Sequence, residues 1–209
     1  ISFEIKKNKT LGLLGPNGCG KTTSIGMMLG LITPSSGQIL IDHTVLNSKN
    51  RINLLKNMNF ASPYVELPKK LTVLQNLEVF ARLYGVINIK DRIEQLIEDL
   101  NLKKIFNKKT GELSSGQKNR VSLAKSLINN PKLLFLDEPT ASLVVELRRD
   151  ILLASHNMKE VERLCDNIIM MKRGEIVDQG TCNELITKHG RKNLEETFLK
   201  IARSTNGPR

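Results

Sequence analysis

The sequence predicts an α/β fold in which a mainly parallel sheet is flanked by helices, joined to an α-helical subdomain and a small β-hairpin region. Three observations carry that prediction. Short, nearly continuous apolar runs at residues 10–14, 133–136 and 151–154 read as strands covered on both faces, as in a parallel sheet. The first run passes through a glycine-rich stretch, 15–22, into an apolar pattern at helical spacing over 23–31, in the order strand, loop, helix. From 72 to about 130 the pattern turns helical: Ile93, Leu96, Ile97 and Leu100 recur on one helix face, with Asp91 and Glu94 at the N-terminal end, where negative charge suits the helix dipole.

The remaining elements follow from local signals. Residues 38–41 read as a strand after the turn Pro34-Ser35-Ser36-Gly37, and 58–61 as a further short one. Residues 168–171 and 175–177 flank Lys172-Arg173-Gly174 as a hairpin, and the polar end 204–209 is expected to fray. At 209 residues and 40% hydrophobic content the chain can bury one sizeable core, so one domain with a subdomain is expected.

Composition narrows the class. No uninterrupted apolar run reaches the ~18 residues needed to span a bilayer, and the first residues lack the basic-then-apolar pattern of a secretory signal, so a soluble, intracellular chain is expected. Cys19, Cys165 and Cys182 form no CxxC pair and have no histidine spacing suited to zinc, which fits a reducing cytosol. The net charge of +11 admits nucleic acid or an anionic membrane face as partner. The lysines are spread along the chain, however, and an aromatic content of 4% argues against base-stacking platforms, so no nucleic acid is expected.

Gly15-Pro16-Asn17-Gly18-Cys19-Gly20-Lys21-Thr22 matches GxxxxGK[ST] in its required setting, between a strand and a helix. Its glycines let backbone N–H groups turn inward to cradle phosphate oxygens, helped by the positive end of the following helix. Lys21 is expected on the β and γ phosphates, Thr22 on Mg²⁺, and Thr23 on a further phosphate contact. Cys19 reads as a tolerated small side chain whose alkylation should block nucleotide. The apolar strand at 133–136 ends in Asp137-Glu138: the first carboxylate suits Mg²⁺ held through water, the second can orient and deprotonate an attacking water. These features imply a P-loop NTPase (RecA-like) core, with 1–71 and 131–209 as nucleotide-binding core and 72–130 as helical subdomain.

Leu113-Ser114-Ser115-Gly116-Gln117 resembles the LSGGQ signature of ABC ATPases, with Ser115 in place of the first glycine. The order P-loop, helical region, signature, FLDEPT at 135–140 and SHN at 155–157 is that of an ABC nucleotide-binding domain, and the resemblance covers essentially the whole chain. It implies ATP and Mg²⁺ as cofactors, catalysis by Glu138, and His156 as the switch histidine on the γ-phosphate. Ser114, Ser115, Gly116 and Gln117 would open a helix running to about Asn130, whose N-terminus is an anion site for the ATP of a second copy bound head to tail. It further implies a separate transmembrane permease and a cytoplasmic position on the inner face of the cell membrane. His43 and His189 read as structural.

The chain departs from the family in three places. The glutamine expected after the strand at 58–61 is replaced by Ser62 and Pro63. The adenine-stacking aromatic would lie ahead of Ile1. After Leu143 the family has an aspartate and a covering helix, whereas only 144–150 precede the next strand; a parallel crossover needs at least ~10 residues. That stretch reads as residues omitted or as a true deletion, the latter expected to impair hydrolysis. The segments 71–77 and 193–199 look like those of exporter-type subunits for drugs, lipids or polysaccharides. Two alternatives remain at this stage: a soluble ABC ATPase acting on ribosomes or DNA, and a hydrolysis-impaired regulatory remnant.

Overall fold

The computed structural model describes residues 1–62, 66–139 and 149–203. Eight strands and eight α-helices lie along these residues. β1 (Thr10–Leu14) leads into α1 (Lys21–Met28); β2 (Leu40–Ile41) and β3 (Thr44–Val45) form a hairpin; α2 (Arg51–Leu55) precedes β4 (Met58–Ala61). Three helices follow, α3 (Val73–Leu83), α4 (Ile89–Asp99) and α5 (Ser115–Leu127), with a 3₁₀ turn at Thr110–Glu112. β5 (Leu133–Asp137), β6 (Asp150–Ser155), α6 (Met158–Leu164), β7 (Asn167–Lys172), β8 (Glu175–Gly180), α7 (Cys182–His189) and α8 (Leu194–Arg203) complete the order.

Six strands make one sheet in the order β4-β5-β6-β1-β7-β8, parallel except for the β7–β8 hairpin. The alternation of each strand divides its apolar residues between two cores. Leu14, Leu134, Leu136, Ile151, Leu153, Ile168 and Met170 face the helical region through Leu77, Val121 and Ala124. Leu11, Leu13, Phe135, Leu152, Ala154, Ile169 and Met171 face the other way, onto Ile25 of α1. Burial on both sides explains why these strands read as unbroken apolar runs. Gly12 lets α6 pack close: a Cβ there would sit 2.8 Å from the Cys165 Sγ. That packing buries the Cys165 thiol and, with the neighbouring Asp166 charge, pushes its pKa up to about 12.

Several boundaries differ from expectation for identifiable reasons. The strand expected at 38–41 is only Leu40–Ile41 and pairs with β3 outside the main sheet, because Asp42 and His43 both take positive φ (47° and 63°), the twist of a two-residue hairpin turn. The first helix ends at Met28, before Gly30 with φ 64°. α5 stops at Leu127 rather than near Asn130: the Arg92 guanidinium donates to the Leu127 and Ile128 carbonyls, and Pro131 cannot continue a helix. The short helices α2 and α6 and the C-terminal pair α7 and α8 were not expected from the sequence. Pro63, the stretch 140–148, which includes most of the region where the covering helix was expected, and the tail 204–209 lie outside the described residues. On either side of that stretch β5 and β6 are adjacent and parallel, with Leu133 opposite Asp150.

Candidate nucleotide site

The C-terminal ends of β1, β5 and β6 lie side by side, which is where open parallel sheets present their ligand sites. β1 delivers the loop 15–20 to the start of α1. Two glycines are dictated by geometry. A Cβ on Gly15 would lie 2.6 Å from the Met171 carbonyl oxygen, and Gly20 has φ 108°. The loop closes through Cys19 N–H to Pro16 O at 3.2 Å, Gly174 N–H to Cys19 O at 2.9 Å, and Ser24 N–H to Gly20 O at 2.9 Å. Pro16, Asn17 and Gly18 form its exposed rim, while Cys19 is buried.

Lys21 is 7% exposed, and its ammonium donates to the carbonyls of Gly15 at 2.7 Å and Pro16 at 3.3 Å. The positive charge is therefore held inside the loop. Thr22 and Thr23 are exposed at the head of α1. Thr22 Oγ1 donates to Asp137 Oδ2 at 3.4 Å, joining the loop to the end of β5. Burial, and secondly the Glu138 charge, raises the Asp137 carboxyl pKa above its ordinary value against the opposing pull of Thr22 and Lys21.

Glu138 adopts φ 51°, and its N–H donates to Ala154 O at 2.8 Å, which turns its side chain toward the end of β6. There His156 Nδ1 lies 2.7 Å from Glu138 Oε2, and the His156 N–H donates to the same oxygen at 3.4 Å. The structure thus brings together two residues singled out in the sequence 18 positions apart. It adds one that was not: Ser155, fully buried, whose hydroxyl lies 3.5 Å from Glu138 Oε2 and 3.4 Å from Glu160 Oε2. Its place in the SHN triplet was the available signal. Asn157, the third member, caps α6 through Glu160 N–H at 3.4 Å.

The signature segment stands apart from this cluster, at the head of α5. Ser114, Ser115 and Gly116 are exposed. Ser114 and Gln117 form a reciprocal capping box, Gln117 N–H to Ser114 Oγ at 3.4 Å and Ser114 N–H to Gln117 Oε1 at 3.0 Å. Ser62, where the glutamine was expected, is buried just beyond β4, one residue after the Ala61–Leu136 pairing and so level with Asp137.

Fold and site together define a P-loop nucleotide-binding α/β domain. The family model described as ABC transporter matches residues 1–141. The Nod factor export ATP-binding protein I of Rhizobium sp. (strain N33) is 35% identical over 205 residues, covering 90% of this chain and 67% of that protein. The ABC transporter ATP-binding protein NatA of Bacillus subtilis (strain 168) is 34% identical over 220 residues, covering 95% of this chain and 87% of NatA. Among solved structures, cbiO1 from Clostridium perfringens, part of the ABC transporter complex cbiONQ, superposes with a TM-score of 0.78 at 29% identity, over 96% of this chain and 90% of that one. The chain belongs to the ABC transporter family and is its ATP-binding, ATP-hydrolysing domain, a kind that works with transmembrane partners. It spans about two thirds of the length of the Nod factor export proteins that it matches. Among the described residues no helix is long and apolar enough to cross a membrane.

Proposed function

We propose that this chain is the cytoplasmic motor of an exporter, lying on the inner face of the cell membrane and driving a separate permease by ATP hydrolysis. The observation that carries the reading is the Glu138–His156 contact at 2.7 Å, beside the Thr22–Asp137 contact at the mouth of the phosphate loop. In this reading residues 1–71 and 131–209 are the nucleotide-binding core and 72–130 the helical subdomain. Export is supported by the names of the Nod factor relatives and by the segments 71–77 and 193–199.

The loop amides of 15–20 and the Lys21 ammonium hold the phosphates. Thr22 and Asp137 offer the hard oxygen donors suited to Mg²⁺. When bound, Mg²⁺ would neutralise charge on the transferred phosphoryl group. Glu138 takes a proton from the attacking water as its oxygen bonds to the γ-phosphorus; ADP leaves, and inorganic phosphate is formed. His156 fixes the Glu138 carboxylate, and Ser155 supports it from below. Ser114, Ser115, Gly116 and Gln117 present the head of α5 to the γ-phosphate bound by a second copy, giving a head-to-tail dimer.

The test is Mg-ATP hydrolysis and nucleotide binding by the wild type beside Glu138→Gln. The variant should bind ATP and accumulate as a dimer with turnover lowered by about 10²-fold or more. Undiminished turnover in the variant would remove Glu138 from the mechanism.

A further inference from the structure

The fold joins two lysine-bearing segments that are about forty residues apart in sequence. The segment leading into α3 pairs with the segment leading into the signature: Val73 N–H donates to Lys108 O at 3.0 Å, Leu74 N–H to Phe106 O at 2.9 Å, Thr110 N–H to Leu71 O at 3.0 Å and Gly111 N–H to Lys69 O at 3.0 Å. Thr72 and Lys109 form an isolated antiparallel bridge. The buried Thr110 hydroxyl fastens the join, donating to Pro68 O at 2.7 Å. Lys69 and Lys70 thus lie at one end of this join, opposite Gly111, and Lys108 and Lys109 at the other, opposite Val73 and Thr72, while Lys103 and Lys104 lie on the turn held down by buried Leu102 and Ile105. All six are exposed. The acidic residues on these two segments are Glu66 and Glu112. Among the described residues, Lys69 is the one of the six in an ion pair, with Glu66 at 2.9 Å.

We infer that this lysine face docks against the anionic phospholipid surface of the membrane that houses the transporter. Three features select that occupant. The cations are all lysine. A defined carboxylate or phosphate group is met best by the planar fork of arginine, whereas lysine's mobile point charge suits a diffuse negative surface. Among the described residues no exposed aromatic side chain accompanies them on these segments, Phe106 being half-buried, which does not favour a single-stranded nucleic-acid site built on base stacking. Finally, four lysines on the two paired segments and two on the turn just before them match in number the juxtamembrane polybasic patches that bind acidic lipid. The face adjoins the signature segment through Thr110 and Gly111, so lipid contact would bear on the part of the domain presented to its second copy.

The inference rests on the reading that the domain works at a membrane face, but its test needs no ATP turnover. The full chain is sedimented with vesicles of phosphatidylglycerol mixed with phosphatidylcholine, and with phosphatidylcholine alone, at low and high salt. A quadruple variant, Lys103→Gln, Lys104→Gln, Lys108→Gln and Lys109→Gln, is compared with a control that neutralises Lys6, Lys7, Lys49 and Lys159 elsewhere on the surface. Salt-sensitive binding to the anionic vesicles alone, weakened at least tenfold in the patch variant and far less in the control, is expected. Equal weakening in both variants would assign the binding to net charge and overturn the inference. So would retention on neutral vesicles, or binding of homopolymeric RNA by the patch with no vesicle binding. Unchanged ATP hydrolysis and melting temperature in the patch variant show that it is folded, and loss of turnover in the wild type alongside intact vesicle binding would sink the motor reading alone.

Discussion

The two places where this domain is read as meeting ATP are built in opposite ways. Around the phosphate loop, groups from α1, the end of β5 and the end of β6 engage one another: Lys21 and Asp137 are 7% and 6% exposed, and Glu138 is held by exposed His156 and buried Ser155. At the head of α5, Ser114, Ser115 and Gly116 stand exposed, and Ser114 and Gln117 cap each other. The first region is preorganised by its own sheet, so its chemistry depends on positions held to a fraction of an ångström. The second is a rigid, self-capped helix start whose outward amides acquire a task when another molecule supplies the anion.

The sharpest way to break this contrast is to place a negative charge at the signature. Ser115→Glu puts a carboxylate on the first turn of α5, which the helix dipole favours, so thermal stability should hold or rise slightly. Hydrolysis should nevertheless fall by roughly 10²-fold, as when a preorganised anion-stabilising contact is lost. Nucleotide binding by the isolated monomer should be unchanged. Turnover measured against protein concentration, with binding and melting on the same sample, separates these outcomes. A loss of monomer binding would mean that the two regions act within one chain.

Asp137→Asn sharpens the comparison from the other side. Its folded-state pKa is raised, so the native protein favours the protonated form, and stability falls as pH rises from the ordinary carboxylate pKa through the folded one. At neutral pH the charge is a cost to the folded chain. Removing it should raise the melting temperature of the nucleotide-free protein while hydrolysis collapses and Mg²⁺ no longer improves ATP affinity. Ser155→Ala is milder. It removes one hydrogen bond to Glu138, of net worth about 1 kcal/mol, and should lower turnover roughly fivefold with nucleotide affinity intact.

The same contrast governs what could be read from the sequence. The strands β1, β5, β6 and β7 were legible because burial on both faces forces continuous apolar runs, and the phosphate loop because its glycines are demanded by backbone approach and positive φ. Glu138 and His156 were each visible at the end of a strand. Their contact was not, since it depends on β5 and β6 being neighbours and on the left-handed turn at Glu138. The hairpin β2–β3 was misjudged because the Asp42-His43 turn lacks the glycine or asparagine that usually marks positive φ. The lysine face escaped because the backbone pairing of 69–74 with 106–111 joins segments that share no periodic pattern.

The smallest effect tests whether preorganised polarity also serves where no ligand is expected. Asp178 on β8 is buried, which by itself raises its pKa. Hydrogen bonds from Lys188, at 2.7 Å, from His189, 2.6 Å away, and from Gln179 N–H, together with the Lys188 charge, outweigh that and hold it below the ordinary range. The cluster pins the last turn of α7 to the edge of the sheet. Because the folded pKa is depressed, its stabilisation is fully present above the unfolded value of about 3.9 and is lost as pH falls through the folded one. Urea unfolding of the wild type and Asp178→Asn should therefore show a gap that closes as pH falls below about 4. A gap that persists at the acid end would place the stabilisation in packing of the side chain rather than in its charge, and the resemblance between this cluster and the nucleotide site would be one of shape alone.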